Sequence, residues 1–130
     1  AKPLIQYAKK QGIRFIPLHL ARKQNLHETV RMSLGQLSAK TDRIYATVDM
    51  DVLHIGDAPG VPASTPGGMA ARELFDILLE IGKWHKVKHI DFVCIDPAKD
   101  SSQETTVKTG VYGWLQFLTG FFLRKFGMNG

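Results

Sequence analysis

The sequence predicts an α/β fold: a three-layer α/β/α arrangement built on a mainly parallel sheet. Three observations predict it. Helical and strand-like segments alternate along the chain in the order helix, strand, helix, strand, helix, strand, helix, the βαβ order that places parallel strands between covering helices. The strand candidates are short apolar runs rich in β-branched and aromatic residues, bounded by turn residues. The chain has 130 residues, 44% of them hydrophobic and 22% charged, enough for one domain with a real core.

Taken in order, Leu4, Ile5 and Ala8 with Lys9 and Lys10 predict the end of an amphipathic helix stopped at Gly12. "IRFIPLHL", Ile13 to Leu20, reads as a short buried strand whose Pro17 marks an edge or an end. Asn25 can cap a helix over about residues 26–37, with Leu26, Val30, Leu34 and Leu37 on one stripe. "RIYATVDM" is the next strand. "AARELFDILLEIGKW", residues 70–84, is the clearest helix, with Leu74, Ile77, Leu78 and Ile81 turned inward. "VKHIDFVCID" is a further buried strand ended by Pro97. A closing helix follows from Ser101 or Ser102 as cap through Phe126. Its aromatic stretch "YGWLQFLTGFF" suits packing on the sheet or in a subunit interface better than a membrane surface.

Composition narrows the function classes. The net charge is +5, but Lys and Arg are dispersed and no run of five like charges occurs, so no nucleic-acid partner is expected. No apolar stretch reaches the roughly 18 residues of a membrane span. The single cysteine, Cys94, excludes an internal disulfide framework and suits a reducing, cytoplasmic compartment. The chain opens "AKPLIQYAKK", without Met and already in helical pattern. That reads as an internal segment, and no signal peptide is expected.

The strand "RIYATVDM" runs into Asp49 and Asp51, one residue apart. On a strand their side chains point the same way. Two carboxylates aimed at one point repel unless a cation neutralises them, and hard divalent ions such as Mg²⁺ or Mn²⁺ suit such oxygen ligands. The alternative is an ordinary strand end, where one Asp caps a turn and the other is solvated. In open α/β sheets, function gathers at the carboxyl ends of strands, where Asp49, Asp51 and Asp96 all fall. The long loop that follows shows no helical or strand pattern. Its part "APGVPASTPGG" holds three prolines and three glycines in eleven residues, fixed and permissive backbone together. Long irregular loops in a compact domain are usually functional.

"VDMDVLHIGDAPGVPASTPGG" followed by "MAARELFDIL" resembles the signature of the ureohydrolases, the family of arginase, agmatinase and formimidoylglutamase. That signature reads S-x-D-x-D-x-x-D-P, then P-G, then P-x-G-G and a helix opening near "RE". The resemblance extends through "HIDFVCIDPAKDSSQETTVKTG", covering about residues 43–110, and its "PGV-A" variant is similar to the formimidoylglutamase branch. It implies an arginase-like fold of which residues 1–130 form the C-terminal portion of a single domain. It further implies Asp49 and Asp51 as ligands of a binuclear Mn²⁺ centre, with Thr47 in place of the family's Ser. The implied activity is hydrolysis of a linear amidine or guanidine C–N bond by a manganese-activated hydroxide. In the formimidoylglutamase branch, formimidoylglutamate would yield glutamate and formamide in histidine degradation. A small-molecule substrate and a homo-oligomeric assembly are expected with it.

The chain departs from this pattern at definite places. His54 and Ile55 stand where the family has D-P. Cys94 stands where it has a Glu that contacts the substrate, and Asp96 where it has an Asn. Cys94, Asp96 and His54 are therefore the candidate substrate-binding positions, although a thiol cannot replace a carboxylate toward a cationic group. The family's remaining metal motifs, G-G-D-H and D-A-H-x-D, do not occur in the chain, so this segment alone is expected to be inactive. His85 and His89 straddle a helix end and a strand start, which does not make a metal pair. Two other classes fit part of the pattern. "DMDVL" is similar to the D-x-D-x-[TV] motif of haloacid-dehalogenase phosphatases, with Asp49 as nucleophile, Asp51 as acid/base and "DPAKD" toward Mg²⁺. A non-catalytic homologue of the ureohydrolases would explain the departures at Cys94 and His54.

Overall fold

The computed structural model describes residues 2–127. In chain order it comprises α1 (Lys2–Lys10), α2 (Leu18–Lys23), α3 (Leu26–Ser38), β1 (Ile44–Asp49), α4 (Ala71–Lys83), β2 (Val87–Val93) and α5 (Thr105–Phe126). Single 3₁₀ turns occupy Met50–Val52 and Pro97–Lys99.

β1 and β2 pair in parallel, with Thr47 opposite Asp91 and Asp49 opposite Val93. The helix α4 lies between them in sequence, so β1, α4 and β2 form the expected βαβ unit. Ile44 and Val48 are buried, and Ala46, Ile90 and Phe92 pack on the same core. The alternate residues Tyr45, Thr47 and Asp49 are exposed. Among the described residues, the helices thus cover one face of the strand pair, where the sequence predicts a sheet covered on both.

The helices follow their patterns. α4 buries Leu74, Ile77 and Leu78, and its start is closed by Glu73, whose carboxylate accepts the Ala70 N–H at 2.8 Å. Asn25 accepts the His27 N–H at 3.1 Å and begins α3. On α3, Leu34 is buried while Leu37 remains exposed. α5 crosses α4 closely because both present glycine at the crossing: a Cβ on Gly120 would lie 2.1 Å from the Leu79 carbonyl oxygen.

Two expectations are corrected. The strand predicted over Ile13–Leu20 is absent: residues 13–17 are irregular and Leu18 already belongs to α2. Pro17 causes this, because its carbonyl accepts the N–H groups of Leu20 and Ala21 at 3.0 Å and starts a helix. It has no N–H for a ladder. Ile13 and Phe15 stay 55% and 68% exposed, with no neighbouring strand among the described residues. The closing helix starts at Thr105 rather than Ser101. Ser101 Oγ does accept the Thr105 N–H at 3.2 Å, but most of the start is held by Asp100. Its carboxylate accepts from the Thr106 and Val107 N–H groups, each at 3.0 Å.

Candidate metal centre

β1 delivers Asp49 in extended backbone and stops there. The Asp49 carboxylate accepts the N–H of Asp51 at 3.0 Å and closes the turn Met50–Val52. Met50 anchors that turn because its side chain is fully buried. Asp51 therefore sits on a 3₁₀ turn and not on the strand, which corrects the pleat argument. The two carboxylates converge through the turn instead. Asp49 caps a turn, and its carboxylate also converges with that of Asp51.

Cys94 joins them from the neighbouring strand. β2 ends at Val93, and Cys94 takes φ +62, a left-handed conformation that disfavours a residue with a Cβ by roughly 1–2 kcal/mol. The next links hold the turn in place: Asp96 N–H donates to the Gly60 carbonyl at 2.8 Å, and Ile95 packs on the core. As a result one ligand atom each from Asp49, Asp51 and Cys94 lies within 4.8 Å of the others. Hydrogen bonding to Asp49, then burial, then the charges of both aspartates push the Cys94 thiol up to about 11. Without a cation this is a neutral thiol facing two carboxylates. Three donors that converge, two of them anionic, are a donor set that fits a divalent cation.

The loop after Asp51 is the wall of this site, and it is ordered by its own hydrogen bonds rather than structureless. Ala63 N–H donates to Asp51 Oδ1 at 2.9 Å. His54 N–H reaches the Met69 carbonyl at 2.8 Å and Ile55 N–H the Thr65 carbonyl at 3.1 Å. Gly60 N–H donates to Oγ1 of the fully buried Thr106 at 2.7 Å, in the first turn of α5. Gly68 has to be glycine: a Cβ there would lie 2.5 Å from the Leu53 carbonyl carbon. The far end of the wall is clamped by Arg22, which donates to both Glu73 carboxylate oxygens at 2.7 and 2.8 Å and to the Gly68 carbonyl at 3.2 Å.

The other two candidate residues are placed elsewhere. Asp96 accepts the Ala98 N–H at 3.1 Å, and its carboxylate lies 3.3 Å from Lys99 Nζ. It is outside the three-donor cluster. His54 is exposed, with its Nδ1 accepting the Gly56 N–H at 2.9 Å. Sequence reasoning missed Asp91, which accepts from Tyr45 Oη beside Asp49 on the open face of the strands. The hydrogen bonds from Tyr45 and Thr47 hold the Asp91 carboxyl below the usual carboxylate range. An aspartate inside an apolar strand pattern was the available signal.

The arginase-family profile matches residues 2–119, almost the whole described chain. The chain belongs to the arginase family. It is 34% identical to the formimidoylglutamase of Bacillus subtilis over 92% of this chain and 37% of that protein. It is 32% identical to the formimidoylglutamase of Halalkalibacterium halodurans over 96% of this chain and 39% of that protein. The crystal structure of the Bacillus subtilis formimidoylglutamase superposes with a TM-score of 0.89 at 32% identity, covering 95% of this chain and 38% of that one. The chain thus spans less than two fifths of the length of these relatives. The parallel strand pair and its helices are a part of the arginase fold, and the haloacid-dehalogenase reading of "DMDVL" is overturned by the family match. Among the described residues, no helix is long and apolar enough to cross a membrane.

Proposed function

We propose that this chain is the C-terminal portion of a single arginase-like domain, and that the complete protein is a manganese-dependent hydrolase of formimidoylglutamate, releasing glutamate and formamide. The convergence of Asp49 and Asp51 at the end of β1 carries this reading, within a chain about one third identical to formimidoylglutamases. Asp49 and Asp51 would hold the Mn²⁺ centre with ligands from outside this chain. When bound, the metal pair supplies an activated water and polarises the amidine. The residues here do the positioning: the Met50–Val52 turn aims the carboxylates, and the Ala63 N–H fixes one oxygen of Asp51 so that the other stays free. The wall loop, pinned at Thr106 and by Arg22 through Glu73 and Gly68, would shape the substrate pocket. A small amidine or guanidine substrate, a homo-oligomer and a cytoplasmic location belong to the same proposal.

The test is to load the complete protein with Mn²⁺ and offer it formimidoylglutamate, agmatine and arginine in parallel. Formamide release from the first alone is the expected result, abolished by Asp51→Ala. Urea release from either of the others would move the activity to another branch of the family. No Mn²⁺ bound by the complete protein and no turnover of any of the three would make it a non-catalytic homologue, and two bound Mn²⁺ per chain would end that alternative.

A further inference from the structure

We infer that Cys94 is itself a metal ligand, adding a sulfur donor to the cation held by Asp49 and Asp51; this rests on the metal reading proposed above. Both ends of the argument are local. The chain after β2 does not continue along the strand at Cys94 but turns with φ +62, and the turn brings Sγ and both carboxylates within 4.8 Å of one another. A side chain lying that close to two ligating oxygens is within reach of the ion they share. A short thiol is also poorly built for the alternative. It cannot extend past the ion to a cationic substrate, and it offers such a group no charge-assisted acceptor. Asp96 offers no substitute, being engaged with Ala98 N–H and Lys99.

The chemical consequence is a change in metal preference. Carboxylate oxygens suit Mn²⁺, whereas thiolate sulfur favours softer or borderline ions. Adding one sulfur donor to the two carboxylates shifts relative affinity from Mn²⁺ toward Co²⁺ and Zn²⁺. Ligation forms one metal–sulfur bond and releases the thiol proton to solvent.

The complete protein, freed of metal and titrated with Co²⁺ alone, provides the test. The expected result is a near-ultraviolet thiolate-to-cobalt charge-transfer band that saturates with Co²⁺ and is lost in Cys94→Ser. The serine variant should still bind Co²⁺, about tenfold or more weakly, since even losing an outer partner of a ligand costs that much. Cys94→Glu provides a second variant should the serine protein fold poorly: it should also lose the band and should bind Mn²⁺ better relative to Co²⁺ than the wild type does. Bound Co²⁺ without the band, or a band that survives in both variants, overturns the sulfur ligand and leaves the metal site standing. Failure to bind either Co²⁺ or Mn²⁺ overturns both.

Discussion

Gly60 and Asp100 touch backbone to backbone: a Cβ added to Gly60 would stand 2.7 Å from Asp100 Cα. The loop behind Asp49 and Asp51 is therefore laid directly on Asp100, whose carboxylate caps the start of α5. Around this contact, Gly60 N–H donates to Thr106 and its carbonyl accepts from Asp96, so one glycine ties the loop to both the helix and the end of β2.

Gly60→Ala must push these two segments apart, because Asp100 Cα and Cβ, both 2.7 Å from the added Cβ, cannot rotate away. Overpacking of this kind costs about 1–3 kcal/mol, and the urea midpoint should fall accordingly. Gly67→Ala is the informative contrast. Nothing lies within 4 Å of its Cβ position, but φ is +80, so only the left-handed penalty of about 1 kcal/mol applies. Gly60→Ala should also weaken metal binding, whereas Gly67→Ala should leave it unchanged.

Asp100 makes the same junction sensitive to acid. Burial pushes its carboxyl up, but the N–H groups of Thr106 and Val107, the Thr106 hydroxyl and the Ser101 N–H together outweigh this and hold it below the usual range. A folded-state value below the unfolded one means the stabilisation is complete above the unfolded value, roughly pH 4. It is lost as pH falls through the lower folded value. Asp100→Asn removes the charge and leaves one oxygen where two accepted. Stability at neutral pH should drop by about 1 kcal/mol, the usual size of a lost helix cap. Urea midpoints measured from pH 7 down to about 3 should then fall less steeply in the variant than in the wild type.

Much of this was legible in the sequence, and the misses share a cause. α4 and β1 were readable because periodicity and β-branching agree with where these segments pack; Leu74, Ile77 and Leu78 are all buried. The paired aspartates and the loop behind them were readable as a signature. What failed depends on contacts distant in sequence or on a local break in period. Ile13–Leu20 has strand composition, but Pro17 sets its backbone toward a helix. Cys94 and Asp96 share a pleat only if β2 continues, and the left-handed turn at Cys94 ends that parity. Asp100 lies five residues before α5 and caps it from a distance that no local motif marks.

The crossing of α4 and α5 makes a prediction independent of the site. A Cβ on Gly82 would lie 2.1 Å from the Phe117 carbonyl oxygen, and one on Gly120 the same distance from the Leu79 carbonyl oxygen. In each case the obstacle is the backbone of the opposite helix. Gly120→Ala should cost about 3 kcal/mol, at the upper end for overpacking, despite the gain in helix propensity of roughly 1 kcal/mol that such a change gives on an exposed helix. Thermal unfolding followed by circular dichroism reads the loss; an unchanged melting temperature would mean that the helices do not cross here.

Asp49 separates repulsion from ligation. In the metal-free protein, two carboxylates share one site, and the hydrogen bond from Asp51 N–H uses a single oxygen of Asp49. Asp49→Asn keeps a carbonyl oxygen in that place and removes one of the two charges, so the turn survives and the repulsion does not. The metal-free variant should therefore be at least as stable as the wild type. Added Mn²⁺ should act in the opposite sense. At a hundredfold excess over the dissociation constant, a ligand bound only by the folded state stabilises it by about 2.7 kcal/mol, which the wild-type complete protein should show as a rise in melting temperature. Asp49→Asn loses an anionic ligand and should lose most of that rise. A variant that is destabilised without metal yet shifted as strongly by Mn²⁺ as the wild type would make Asp49 a turn cap only, with the ion held elsewhere.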